Sequence, residues 1–595
     1  MKKITFLMAL LWTICSFALS AQNSNSIPQE EREALIRIYN SVRGTSEELV
    51  WNLNADPSQW KGITIADGHV IGIQWVDFGL DATLPEGAFS KLPYLQSINI
   101  SNNKITGPLP ADIATLKELL YLQIGNNFFT GKLPDFSGLS KIEILTYEML
   151  SLGENKGKVS GTLPDFGKLP QLRYFDCNNS NQSGTISKGI GKCTELISFD
   201  ISCNHVSGTV PAELAQCVKL ADLSLLQNEL EGEFPDLSAL TDLGNSDYPN
   251  VWGRFFICEN NFTGDLPLWI FSLTKLKRIA VQENHFTGTL PEDMSAMTNL
   301  VAFYANKNEL SGALPKKLPQ NLEDLDLSRN KFTGSLPQEW QTAENLNIVH
   351  VERNLLSGPA AAYSSKMKSL EVLDVSLNNF SFADFKNWQS FAKDPETSFN
   401  FGVQRNFAPT ERIDKRKGES VTLTCTLPSE QPGQLSYQWM NVSTGQPVNG
   451  GNAATLQIDN LSESDAVRYV CLITTDYFGK DPSGITDHKG NIILPMMASG
   501  FFDLYVDGKI NSVDRVSSEA KVHFYPTRIS DGVLHISDAN MVRSVALYSM
   551  NGERVWTASV EGADSFNLGV LPHGGYLAVA LLSDNTLCTQ MITLE

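Results

Sequence analysis

Catalysis or metal binding in this 595-residue chain would most readily be built from its histidines, and these are scattered: His69, His205, His285, His350, His488, His523, His535 and His573. None stands with another histidine, a cysteine or a carboxylate at the spacing of a metal-ligand motif. No G-x-S-x-G elbow marks a nucleophile. Residues 189–193 read GIGKC, a fragment of a phosphate loop, but the leading glycine of that motif would fall at Ile186 and no serine or threonine follows Lys192. Asp324 and Asp326 stand two apart without the other ligands of a calcium loop. Carboxylates that meet only on folding leave no such local signature. The expectation is a protein with no catalytic residues, no metal and no cofactor, whose chemistry is recognition.

Recognition residues are easier to find. Binding hot spots favour exposed aromatics with arginine. Arg254, Phe256, Arg278, Tyr304, Lys307, Arg329, His350 and Arg353 supply these types at related positions in the middle of the chain. What relates them is a repeat. Residues 276–291, LKRIAVQENHFTGTLP, recur with drift from Ile73 to about Phe382 as LxxLxLxxNxFTGxLP. Asn103, Asn127, Asn155, Asn204, Asn228, Asn260, Asn284, Asn308, Asn330, Asn354 and Asn378 share one template position, which Ser180 fills once. Most steps are 24 residues; the exceptions are 22 (Asn308 to Asn330), 25 (Asn155 to Ser180), 28 (Asn127 to Asn155) and 32 (Asn228 to Asn260). The outliers read as one trimmed loop and several insertions.

Each part of the template has a physical role. The pair Ile279 and Val281 points inward from a short strand, because alternate strand residues face opposite sides. The asparagine carries both donors and acceptors and can satisfy turn backbone in its own coil and the next, forming a ladder. Gly288 admits a positive φ and Pro291 ends the inner strand. No coil can bury its apolar face alone, so stacking makes the core.

This pattern resembles the leucine-rich repeat family, in particular its plant-type subclass with [ST]-G-x-[LI]-P after the asparagine, over about residues 70–404. The resemblance implies a curved α/β solenoid with a parallel sheet on the concave face and short helical or 3-10 segments on the convex face. The middle concave column then runs Asn99, Gln123, Ser151, Asp176, Asp200, Ser224, Phe256, Ala280, Tyr304, Asp326, His350, Asp374. Its early coils are acidic and polar. Its later coils carry Phe256 and Tyr304 ringed by Arg254, Arg278 and Lys307. Cys193 and Cys217 sit one coil apart, open to a disulfide but more economically read as buried thiols.

The flanks divide further. Residues 1–21 carry Lys2, Lys3, an apolar run and a small-residue end, a secretory leader. Residues 22–69 resemble the N-terminal cap of plant-type repeat proteins, with a helical face around Leu35, Ile38 and Val42 followed by Trp51 and Trp60. That family's cap usually carries paired cysteines; none stand here, so packing must hold it. Residues 405–507 show Cys425, Trp439, Tyr469 and Cys471 among short strands and resemble an immunoglobulin-like domain, which implies a Cys425–Cys471 disulfide against Trp439 and a corner tyrosine at Tyr469. After a linker at 508–519, residues 520–595 resemble the C-terminal sorting domain of type IX secretion cargo of Bacteroidota, through Tyr525-Pro526, the Tyr548…Asn551-Gly552 hairpin and Leu571 to Tyr576. That implies the type IX secretion machinery as a partner, and the two all-β units read as sandwiches.

A formal charge of −20 argues against nucleic acid, which is bound through basic surface. No transmembrane stretch follows the leader. The expectation is a secreted or cell-surface recognition or adhesion protein that takes a protein or glycan ligand on the concave face. The alternatives from other classes are an inhibitor of a secreted hydrolase and an unrecognised glycan-active enzyme.

Overall fold

The computed structural model describes residues 27–149, 159–249, 251–360, 369–388, 398–444, 446–478 and 496–510, with strand-forming stretches between 524 and 594. The leader and Asn155 lie outside them. The chain divides into two compact units, Met1–Leu310 and Ser311–Glu595.

The first unit opens with the helix Gln29–Val42, whose Leu35, Ile38, Tyr39 and Val42 are buried. The cap beside it is held by packing and hydrogen bonds. Tyr39 stacks on Trp51 at 4.4 Å and Trp51 on Trp60 at 4.6 Å, while the two indole nitrogens donate to Lys61 O and Asn52 O. Buried Glu31 accepts from Val70 N at 2.8 Å and closes the cap onto the first coil. Three-residue strands then pair in parallel, from Ser97–Asn99 to Ala302–Tyr304. Their central residues, such as Ile98, Leu122, Phe199, Phe255 and Ile279, are fully buried. Each contributes roughly 1.5–3 kcal/mol by leaving water.

Behind this sheet the 3-10 turns Ala111–Thr115, Ala212–Gln216 and Leu268–Ser272 each follow a proline that fixes the entry angle. Between the two lies a feature the template reading did not include. The F-T-G segments are themselves strands, and Val159–Thr162, Gln182–Gly184, His205–Gly208, Glu229–Glu233 and Asn261–Thr263 form a second parallel sheet. Two of these strands end at Gly184 and Gly208, both at positive φ.

The asparagines run between the coils as a ladder. Asn284 donates through Nδ2 to Ile257 O, Val281 O and Gln282 O, and its Oδ1 accepts from Phe262 N at 3.0 Å. Asn103, Asn127, Asn204, Asn228 and Asn260 repeat the pattern. Ser180 keeps the bond within its own coil, its hydroxyl donating to Cys177 O. Cys193 and Cys217 are free, buried thiols, each donating to a backbone carbonyl of the preceding coil.

In the second unit the strands Asp324–Asp326, Ile348–His350, Val372–Asp374 and Ser398–Asn400 pair in parallel. Gln404 ends its ladder: its Oε1 accepts from Asn378 N and Phe380 N, and its Nε2 donates to Val375 O. Phe385, Trp388, Phe399 and Phe401 seal the end of the stack. Phe478 of the following domain packs on Phe382, Phe399 and Phe401.

That domain sets the antiparallel pair Val421–Thr424 and Thr455–Ile458 against a sheet containing Leu435–Asn441, Arg468–Thr475 and Phe502–Val506. Trp439 is fully buried between them, and Tyr469 OH donates to Asp465 O at 3.1 Å. Cys425 and Cys471 correct an expectation. Both are free, buried thiols rather than a bridged pair. Folding alone brings the sulfurs together; the bond between them needs an oxidant.

The last segment pairs Val542–Ser549 with Arg554–Ser559 and Gly574–Leu582, and the latter with Leu587–Leu594. A smaller sheet of Phe524–Tyr525, Val533–Ile536 and Ser565–Asn567 shares its core, in which Leu534 and Ile536 meet Val545 and Leu547. Pro526, Asn551 and Gly552 lie outside the described residues.

Candidate functional site on the concave face

Two strand positions flank each buried central residue. In the first unit they form in-register columns: Asp222, Arg254, Arg278, Ala302 along one, and Ser224, Phe256, Ala280, Tyr304 along the other. Phe256 and Tyr304 are half-buried, and small, buried Ala280 between them leaves a gap one residue wide. At ladder spacing the two rings stand about 9.5 Å apart. Upstream, Thr146 rather than Ser151 holds the column position, because the strand is Ile144–Thr146 and the extra residues of that coil follow it.

Arg254 is not presented to a ligand as the sequence suggested. Its guanidinium turns back along the column. Nη2 donates to Asp222 Oδ2 at 2.5 Å and to Asp200 Oδ2 at 3.1 Å, and Nε to Asp222 Oδ2 at 3.0 Å. The cause is burial: Asp222 has no exposed surface, and a buried carboxylate needs a cation or donors. Asp222 also accepts from Trp252 N and Arg254 N, so one carboxylate anchors both the strand and the loop leading into it. Burial pushes the Asp222 carboxyl up, and Arg254 opposes that shift. The guanidinium still lies 5.7 Å from the Phe256 ring.

The long step between Asn228 and Asn260 proves to be a loop folded against this face. Asp242 accepts from Lys275 Nζ at 2.6 Å and from Tyr248 OH at 3.1 Å, and Tyr174 OH reaches Pro249 O at 3.4 Å. The loop delivers Trp252, with 67% of its surface exposed, two residues before Arg254. Sequence reading missed Trp252; the 32-residue step was the available signal. Arg278 is exposed and makes no ion pair among the described residues. Lys307 pairs with Glu283 at 2.6 Å, both about 42% exposed. Such a surface pair holds loosely.

Lys307, Arg329 and Arg353 are not strand residues. Each sits at positive φ, between 53° and 57°, in the turn just before its ladder asparagine. They line the edge of the repeat rather than the two columns. In the second unit, Asp326, His350 and Asp374 are in register. Burial tends to lower the His350 pKa, but Glu352, Asp374 and Asp326 outweigh it and push it up to about 9.

The early coils are acidic, as read from the sequence. Burial, with Asp200 adding to it, pushes the Glu148 carboxyl up to about 7. Burial with Asp200 and Glu148 pushes Asp176 well above the usual carboxylate range. The face thus passes from an acidic strip to an aromatic patch beside Arg278, whose guanidinium makes no ion pair among the described residues, and Arg254 joins the two. Such a surface can stack an apolar or sugar ring and pair with an anionic group.

Two family descriptions match the chain: Leucine Rich Repeat at residues 94–116 and 321–343, and Immunoglobulin domain at residues 407–474. The chain is 26% identical over 190 residues to Receptor-like protein kinase 7 of Arabidopsis thaliana, covering 28% of this chain and 19% of that protein. It is 35% identical over 142 residues to Pollen receptor-like kinase 3 of the same plant, covering 23% and 21%. The matched stretch spans about a fifth of these curated relatives' length. A solved structure of the Arabidopsis receptor kinase HAESA, in complex with the peptide hormone IDA and the co-receptor SERK1, is similar with a TM-score of 0.51 at 24% identity, over 65% of this chain and 67% of that one. The chain is thus a leucine-rich repeat solenoid followed by an immunoglobulin-like domain, with plant receptor-like proteins among its homologues.

Proposed function

We propose that the protein is a secreted or cell-surface recognition protein that binds a protein or glycan ligand on its concave face and has no catalytic role. The observation that carries this reading is the patch of exposed Trp252 and Arg278 with half-buried Phe256 and Tyr304, on a frame fixed by the Asp222–Arg254 pair. Large rings held on a rigid frame lose little entropy on binding. A leader at residues 1–21 and a sorting-like tail at 520–595 supply the route: export across the outer membrane through a type IX secretion system. No helix among the described residues is long and apolar enough to cross a membrane, which fits display by another means.

The test is a screen of the full chain against glycan and surface-protein arrays, with a Trp252→Asp, Phe256→Asp variant beside it. A ligand held by the wild type and lost by a folded variant supports the reading. A ligand held equally by both removes it.

A further inference from the structure

We propose that His350, Glu352 and Asp374 form a binding site for a divalent first-row transition metal of the zinc class. The repeat brings them together. His350 ends the strand Ile348–His350, and Asp374 is its register partner on the next coil. Glu352 lies two residues past His350, beyond inward-facing Val351, and so returns to the same side. One ligand atom from each of the three lies within 4.8 Å of the others. His350 Nδ1 and Glu352 Oε2 are 3.3 Å apart. Zinc bonds of about 2.0–2.1 Å require tetrahedral edges of about 3.3 Å, so this edge is already set.

Two further observations point to a cation. Glu352 Oε2 is shielded from solvent, and its nearest donor among the described residues, His350 Nδ1 at 3.3 Å, falls short of a well-formed hydrogen bond; the side chain as a whole is 20% exposed. A shielded acceptor with so poorly aligned a donor is costly unless something else fills the place. Asp374 is already oriented from behind: Oδ1 accepts from Ser376 N at 2.9 Å, and Oδ2 from Asn400 Nδ2 at 2.7 Å. Outer hydrogen bonds of this kind fix metal-ligating carboxylates. Asp326, on the coil before His350, adds negative charge. One imidazole with two carboxylates suits zinc and its neighbours better than calcium or magnesium, which favour all-oxygen shells. Three protein ligands leave the remaining positions open to solvent on the concave side.

An imidazolium paired with Glu352 could hold the same geometry, and metal uptake separates the two. The full chain, stripped with a chelator, is titrated with zinc chloride against a chromogenic zinc indicator, and in parallel with calcium chloride. The expected result is one equivalent of zinc taken up, with no competition from calcium. His350→Gln and Asp374→Asn should each weaken uptake at least tenfold. The visible band of the cobalt-substituted protein should disappear in both. Metal-free melting curves check folding. Should either variant melt early, Glu352→Gln is decisive, since it gives up only the pair with His350 and keeps the shape of the side chain. No uptake by the wild type, or undiminished uptake in folded variants, overturns the site. The titration uses no recognition ligand, so its failure leaves the concave-face reading standing.

Discussion

Asp222 decides what the concave face can offer. With no exposed surface, it must keep its cation, and Arg254 is therefore a structural ion. Arg254→Met is expected to cost about 3–5 kcal/mol, because it strands a buried carboxylate; chemical denaturation of the full chain measures this. Glu148 sets a pH dependence. Its folded carboxyl is held at about 7 against an ordinary 4.5. The folded state therefore binds this proton more tightly, and the stability it contributes is complete below about pH 4.5 and is lost as pH rises through 7. Glu148→Gln should leave melting at pH 4 unchanged and stabilise the protein at pH 8 by about 1–3 kcal/mol. At this scale the sequence was informative about residue type and poor about partners. Phe256 and Tyr304 are read correctly as column residues. The partners of Arg254 and His350 are not legible, because Asp222, 32 residues before Arg254, and Asp374, 24 after His350, become neighbours only through stacking.

At the scale of the coil, the asparagine ladder couples each repeat to the one before. Asn284 serves carbonyls in two coils and one amide, so Asn284→Ala is expected to cost about 1–3 kcal/mol. Hydrogen exchange should show faster exchange at Phe262 N, the amide that loses its acceptor. The period made this ladder legible from side-chain chemistry alone. The end of it was not, since Gln404 takes over where the asparagines stop. The second sheet was missed because F-T-G reads as turn chemistry. Its strands are short and pair only with copies of themselves one coil away. The 28-residue step carried a similar ambiguity, which moved the concave position from Ser151 to Thr146. Lys307, Arg329 and Arg353 were placed by spacing, while their positive φ is set by the turn that precedes each ladder asparagine among the described residues.

At the scale of the molecule, order along the chain carries the proposed itinerary: leader, recognition solenoid, immunoglobulin-like domain, sorting-like tail. Deletion from Ser518 onward is expected to hold the protein in the periplasm, read by fractionation and surface labelling; normal display of the truncated chain would remove the export proposal. The immunoglobulin-like domain was legible from its Cys, Trp and Tyr-x-Cys order. Its packing through Phe478 onto the last coils was not, because that contact joins segments about 80 residues apart. The central claim is that a ligand is held on the concave columns. Hydrogen exchange of the full chain, with and without the first ligand captured in the array screen, tests it most directly. Protection concentrated at 252–256, 278–280 and 302–304 is the expected result. Protection confined to the outer 3-10 turns or to the immunoglobulin-like domain would contradict it.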